Sequence, residues 1–362
     1  MRIAFAILLL LHGLIHLLGF AKAFQYGQIS SLTLPISKPA GLAWLASTLL
    51  FLVAGILYLL HRESWWMWAV PAVLLSQVLI FLVWKDAKYG TIPNLIAAAV
   101  IIVGFANRDF QGMVKNELQS FLPAYTGTQI PLDEAAIAAL PPVVQTWIKR
   151  SNALGKPIAQ TVHLKQKGDM RSAPAKKWMP VTAEQWFTPL QPGFIWNARV
   201  KVAPGIEMTG RDRYADGKGH MLIKVLSLVP VAKAKGPEAD QGSMLRYLAE
   251  IVWFPSGALH ESIVWEPLDS SSAKATMTLG GISASGIFRF DANGDPQSFE
   301  AKRYYDRKEG ATLEDWFVQI DPEGYKEFEG IRIPAKSTVS WKLKEGDFSW
   351  FRVEITEIEY IP

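Results

Sequence analysis

The chain has 362 residues, half of them hydrophobic, a net charge of +4 at pH 7 and no cysteine. Its length suits about two domains, and the lack of cysteine excludes disulfides, thiolate metal sites and a cysteine nucleophile. The surplus charge does not point to nucleic acid: residues 1–106 hold six basic and two acidic side chains, the remainder holds 31 of each, and no basic tract carries interleaved aromatics.

Four runs in residues 1–106 contain no Asp, Glu, Lys or Arg: Ile3–Phe20, Leu42–Leu60, Trp65–Trp84 and Ile92–Phe105. A helix of about 18 or more apolar residues matches the hydrocarbon thickness of a bilayer. The first three runs reach that length, and the fourth does so once its flanks from Gly90 to Ala106 are counted. The expectation is a four-helix transmembrane domain over 1–106, multi-pass in the inner (cytoplasmic) membrane, with the lipid bilayer as its partner. Trp65, Trp66, Trp68 and Trp84 flank the third run, where interfacial aromatics belong. The start has a basic residue and an Ala21-Lys22-Ala23 triplet resembling a signal-cleavage site, but the apolar run exceeds a usual h-region and His12 and His16 interrupt it. A retained helix is expected. Orientation is tied, with Arg2, Arg62, Arg108 and Lys115 on the side shared by the termini and Lys22, Lys38, Lys85 and Lys88 on the other.

His12 and His16, four apart, project from one helix face. Ionisable groups inside a bilayer are costly and mark candidate functional sites. Asp86 and Asn94, near the boundary of the third and fourth runs, complete a candidate polar cluster. Its roles divide between a metal or haem site, a proton relay or a quinone contact, and a hydrogen-bonded bridge between helices. Two His without a further obvious ligand make an incomplete metal site, so no cofactor and no metal is predicted.

Residues 107–131 read as a connector and 132–362 as a β-rich soluble domain. Asp133 and Glu134 suit the first turn of a short helix, Pro141-Pro142 breaks it, and Lys149 and Arg150 suit the last turn of a second. From about Ile158, segments such as TVHLKQKG, KATMTLGG and STVSWKLK alternate apolar and polar residues at the strand period. In the last strand Phe351, Val353 and Ile355 share a face and the phase slips to Ile358 and Tyr360, which predicts a bulge near Thr356. Asp216-Gly217, Asn293-Gly294 and Glu345-Gly346 signal turns. One helix is expected around Ser243–Phe254, ended by Pro255. The fold class is thus a membrane helical bundle plus an α+β tail, a mostly antiparallel curved sheet or half-barrel with an inserted helix.

Chemistry-bearing motifs are sparse. Asp291-Ala-Asn-Gly-Asp295 opens like a calcium loop, but position 12 is Lys302, so a hairpin turn is expected. Ser243, His260 and Glu261 form a hydrolase triad only by residue type, and enzyme activity is not expected. Charge is uneven, with 16 basic and 5 acidic residues in 142–235 against 13 and 22 in 236–362. Oppositely charged neighbouring strands explain this, as would a basic face on anionic lipid. Nine tryptophans lie beyond residue 106, serving either as core or as lining of an apolar cavity. Trp196, Tyr247 and Trp253 are expected to border such a cavity between the helix and the concave face of the sheet.

The segments WMPVTAEQWF, DRYADGKGHMLIK, MLRYLAEIVWFPSGAL, FRFDANGDPQSFEAKRYYD and IRIPAKSTVSWKLKEGDFSWFRVEI resemble a bacterial family of uncharacterised proteins whose domain of unknown function occurs alone or behind membrane helices. The resemblance runs from about residue 135 to the end and brings no catalytic residue. The order of elements also resembles the half-barrel of bacterial lipoprotein carriers and related lipid-binding envelope proteins, an architectural analogy. It implies a tail outside the cytoplasm. The function expected is a membrane-tethered envelope protein binding a lipid or other apolar ligand, with no named protein partner. The alternative is a membrane redox or proton-handling protein built on His12 and His16, with the tail as a sensing or docking module.

Overall fold

The computed structural model describes residues 2–124 and 129–362. The chain divides into two compact units, Met1–Asp109 and Phe110–Pro362.

In the first unit, helices α1 (Arg2–Ala23), α2 (Lys38–Leu59) and α3 (Trp65–Leu82) are followed by a short turn α4 (Trp84–Ala87) and by the long helix α5 (Thr91–Phe121). Among the described residues, four helices are long and apolar enough to cross a membrane. Their outward residues, such as Ile3, Leu14, Leu49 and Phe81, stay exposed and apolar. Small inward residues alternate with large ones: Ala54, Ala69 and Ala72 are fully buried beside Leu9 and Phe51, and a Cβ on Gly19 would collide with the Trp44 ring. Small residues let apolar helices approach closely where no hydrophobic effect drives them together. Ser37 caps α2, its Oγ accepting from the Ala40 amide.

Helix α5 runs on to Phe121, through much of the segment expected to be a connector. Its pattern explains this. Phe110 and Val114, four apart, are buried with Ile195 as one cluster, so the helix turns amphipathic where its apolar run ends.

In the second unit, α6 (Glu134–Ile137) and α7 (Pro142–Arg150) are the two expected short helices. Asp133 caps α6 by accepting from the Ala136 amide at 2.8 Å. A first antiparallel meander follows: β1 (Thr161–Met170), β2 (Met179–Thr188), β3 (Gly193–Ala203), β4 (Ile206–Ala215), β5 (Lys218–Val225) and β6 (Val229–Lys235). Helix α8 (Pro237–Glu250) leads through two 3-10 turns, Ile251–Trp253 and Pro255–Leu259, to a second group of strands. These are β7 (Ile263–Asp269), β8 (Ser272–Leu279), β9 (Ile282–Phe290), β10 (Pro296–Tyr305), β11 (Thr312–Ile320), the small ribbon β12 (Tyr325–Phe328) and β13 (Ile331–Pro334), then β14 (Lys336–Leu343) and β15 (Gly346–Ile361).

Thirteen strands form one curved antiparallel half-barrel in the order β6-β5-β4-β3-β2-β1-β15-β14-β11-β10-β9-β8-β7. The two groups of strands join in the middle, where β1 pairs with β15. Helix α8 therefore links the two outermost strands, β6 and β7, and lies along the trough between them, touching β4 and β5 on one flank and β8, β9 and β10 on the other. It begins earlier than the apolar pattern suggests, because Pro237 suits the first helical position and Glu238 and Asp240 the first turn.

Thr356 is the residue skipped in the β1–β15 ladder, where Lys165 faces Glu357 and Gln166 faces Ile355. Asp216 and Gly217 both have positive φ (53° and 74°), the twist a two-residue hairpin needs. Asp291–Asp295 is the β9–β10 turn: the Asp291 carboxylate accepts from the amides of Asn293 and Asp295, each at 2.8 Å. The uneven charge meets across the central seam, with Lys165–Glu357 at 2.6 Å and Lys167–Glu354 at 3.3 Å. Such exposed pairs add little stability but favour this pairing over like-charged alternatives.

Candidate functional site

Period-two strands send alternate side chains into the trough. β3 contributes Trp196, β4 Asp212, β10 Phe299 and Arg303, β11 Trp316, and α8 covers them with Arg246, Ala249 and Glu250. A cavity of about 160 Å³ remains between helix and sheet, its wall largely hydrocarbon and aromatic. Trp253 lines it, its indole nitrogen donating to the Pro334 carbonyl at 3.1 Å. Tyr247, the third residue expected at such a cavity, is not among the lining side chains. It is fully buried in an aromatic cluster with Phe187, Phe254 and Tyr214. The cavity is also smaller than the several hundred cubic ångströms expected of a small-ligand site.

A buried ionic network forms one wall. The Arg246 guanidinium reaches Asp212 Oδ2 at 2.8 Å and Glu250 Oε1 at 2.9 Å. The second Glu250 oxygen accepts from Gln185 at 2.7 Å, Gln185 Oε1 accepts from Gln166 at 3.1 Å, and Gln166 Oε1 accepts from the Trp196 indole at 2.8 Å. Arg246 also lies 4.8 and 4.9 Å from the ring centres of Phe194 and Trp196, close enough for cation–π attraction. Burial pushes the Glu250 carboxyl above its ordinary range even though Arg246 pulls the other way. For Arg246 burial works against the charge, but Glu250 and Asp212 outweigh it and raise the value. Arg303 is held by no such pair: burial lowers it to about 10, with Asp212 and Glu250 opposing and Arg246 reinforcing the fall. Sequence reasoning missed Gln166, Gln185, Asp212, Arg246, Glu250 and Arg303, although Arg246 and Glu250 stand four apart among the buried residues Met244, Leu245, Tyr247, Leu248 and Ala249 of α8.

Within the first unit, His12, His16 and Asn94 come together around Ser76. His16 Nδ1 lies 2.7 Å from the His12 carbonyl, which can only accept, so that nitrogen carries the proton. His16 Nε2 then accepts from the Ser76 hydroxyl at 2.8 Å, and Ser76 Oγ accepts from the Asn94 amide at 2.9 Å. Asn94 Oδ1 accepts from His12 Nε2 at 3.0 Å. Two neutral imidazoles satisfy this whole set. Asp86 borders the same cavity of about 330 Å³ as the two His, but its carboxylate is engaged by the amides of Thr33 (2.6 Å) and Leu34 (2.8 Å) and by the Thr33 hydroxyl. Each intramembrane hydrogen bond contributes about 0.6 kcal/mol on average. Replacing His12 and His16 together by Ala is expected to lower stability by about 1–2 kcal/mol, seen as a fall of several degrees in the melting of the detergent-solubilised chain. Its visible absorption should stay unchanged, whereas loss of a haem or flavin band would favour the redox alternative.

Ser243, His260 and Glu261 do not assemble. The His260 Nδ1 is taken by the Ser262 hydroxyl at 2.8 Å, and Ser243 is buried on α8.

No curated protein matches the chain. Among solved structures, a beta-barrel-like protein of the domain of unknown function DUF1849 from Brucella abortus is similar at 10% identity and a TM-score of 0.25, the match covering 56% of this chain and 99% of that one. Residues 138–360, which take in α7, α8 and nearly all of the half-barrel, match the family of unknown function DUF6920, and the chain belongs to that family.

Proposed function

We propose that the protein is a membrane-tethered envelope protein, multi-pass in the inner membrane, whose half-barrel holds a lipid or other apolar molecule in the cavity beneath α8. The observation that carries this reading is the cavity itself, an unfilled space between helix and sheet walled by Trp196, Trp253, Phe299 and Trp316. Protein interiors rarely leave voids larger than a water molecule. Each methylene moved from water into such a space contributes about 0.8 kcal/mol. Four helices long and apolar enough to cross a bilayer would keep the site near lipid at high effective concentration.

Gly210 provides the test. A Cβ there meets only the Trp196 ring at 3.6 Å and Ile223 at 3.8 Å, ordinary contact distances, so a larger side chain can grow into the cavity it lines. Native mass spectrometry of the full chain, gently extracted, should show a co-purified apolar molecule in the wild type and at most a tenth of that occupancy in Gly210→Leu, with both melting within a few degrees of each other. A wild-type chain carrying nothing, or equal occupancy in the two, would remove the reading.

A further inference from the structure

The buried side-chain atoms of lining residues that lack a hydrogen-bond partner among the described residues are all N–H donors. Arg303 projects from β10 beneath α8, with its guanidinium 4.7 Å from the Trp316 ring centre and 5.9 Å from that of Trp341. Helix α8 admits it by having Gly242 there, since a Cβ at that position would stand 3.1 Å from Arg303 Nε. The carboxylates within reach are occupied. Asp212 and Glu250 pair with Arg246, and Glu314, which faces Arg303 across the β10–β11 ladder, pairs with Arg307 at 2.9 Å. Arg303 thus keeps its five N–H donors free of any hydrogen bond or ion pair with the described residues. Two more lining residues add donors without acceptors: the indole nitrogens of Trp316 and Trp350 are buried and have no partner among the described residues.

A part-buried guanidinium beside unpartnered N–H groups has donors to spare and no acceptor oxygen of its own. A cationic ligand would meet Arg246 and Arg303 and find both Glu250 oxygens already accepting. A wholly apolar one would leave Arg303 as it stands. We propose that the molecule held beneath α8 is an acid-headed amphiphile, its carboxylate or phosphate bound by Arg303 and its chain laid against Trp196, Trp253 and Phe299. This rests on the cavity being a ligand site and adds the chemistry of the head group.

Isothermal titration of the full chain in a non-ionic detergent with decanoic acid, decyl phosphate and decan-1-ol tests it. In the wild type the two acids should bind at least tenfold more tightly than the alcohol, and whichever acid is preferred identifies the head. Arg303→Met should bring both acids to the level of the alcohol, whose own binding falls far less than theirs, and Arg303→Lys should keep most of the preference. Alcohol binding in the variant reports that the cavity is intact. Equal affinity of acid and alcohol for the wild type would overturn the anchor and leave the apolar site, a result that needs no variant to fold. Failure of all three probes to bind would remove the ligand site and the anchor with it.

Discussion

Replacing Arg246 by Met is expected to destabilise the protein by about 3–5 kcal/mol, the usual loss when one partner of a buried ion pair is removed and the other charge is stranded. Two carboxylates are stranded here, Asp212 and Glu250, each held within 2.9 Å of the guanidinium. The defect should depend on pH. Glu250 already sits above its ordinary pKa, chiefly through burial, and without Arg246 the hydrogen-bonded positive charge that opposes that rise is gone, leaving only the more distant pull of Arg303. A carboxyl whose folded pKa exceeds its unfolded one contributes stability that is fully present below the unfolded pKa and is lost as pH rises through the folded pKa. Urea unfolding of the full chain in mild detergent, followed by tryptophan fluorescence, should therefore show the deficit of Arg246→Met shrinking from pH 7.5 to 5.5. Adding Glu250→Gln should recover part of it at the higher pH. A deficit that is flat with pH would mean that the stranded charges are not its cause.

Phe187→Ala should cost about as much, some 3–5 kcal/mol, by another mechanism. Phe187 on β2 is fully buried, with ring centres of Phe254 at 4.7 Å and of Phe194, Tyr247 and Trp253 at 6.2 to 6.3 Å. Truncation loses transfer energy and leaves a void that these four rings cannot all relax to fill. Phe187→Leu keeps most of the volume and should cost about 1.5 kcal/mol or less. The same unfolding measurement should show no dependence on pH between 5.5 and 7.5 for either variant. Together the two positions separate the electrostatic wall of the trough from its packed floor.

What the sequence makes legible is what local physics decides. Charge-free runs of bilayer length, period-two strands, the Asp216-Gly217 and Asp291–Asp295 turns and the slip at Thr356 all follow from patterns within a dozen residues, and the structure has each. The helical reach to Phe121 was readable too, from Phe110, Val114 and Phe121, once amphipathic continuation is weighed against the end of the apolar run. The start of α8 at Pro237 was there in the proline and the acids behind it. Strand order was not legible, because nothing near Thr161 says that its ladder partner is Ile361. The candidate site was legible in part. Trp196 and Trp253 could be placed on a cavity wall because aromatics on inward strand and helix positions must meet something apolar. Arg246 and Arg303 could not, because a charged residue on a helix or in an alternating strand reads as outward-facing until the fold shows that its face is covered.

The pairing of β1 with β15 has a consequence for the order of events during synthesis. The first meander emerges from the ribosome with one flank of β1 unpaired, and the strand that will cover it, β15, follows almost 200 residues later. Until then that flank is an open template of amide and carbonyl groups, the kind of edge that recruits other chains. Contacts so distant in sequence also close slowly. The lysines of β1, Lys165 and Lys167, stand on that waiting edge, and before Glu357 and Glu354 arrive to meet them their charge repels a second nascent copy of the same strand. The residues that later bridge the seam thus act first as its guards.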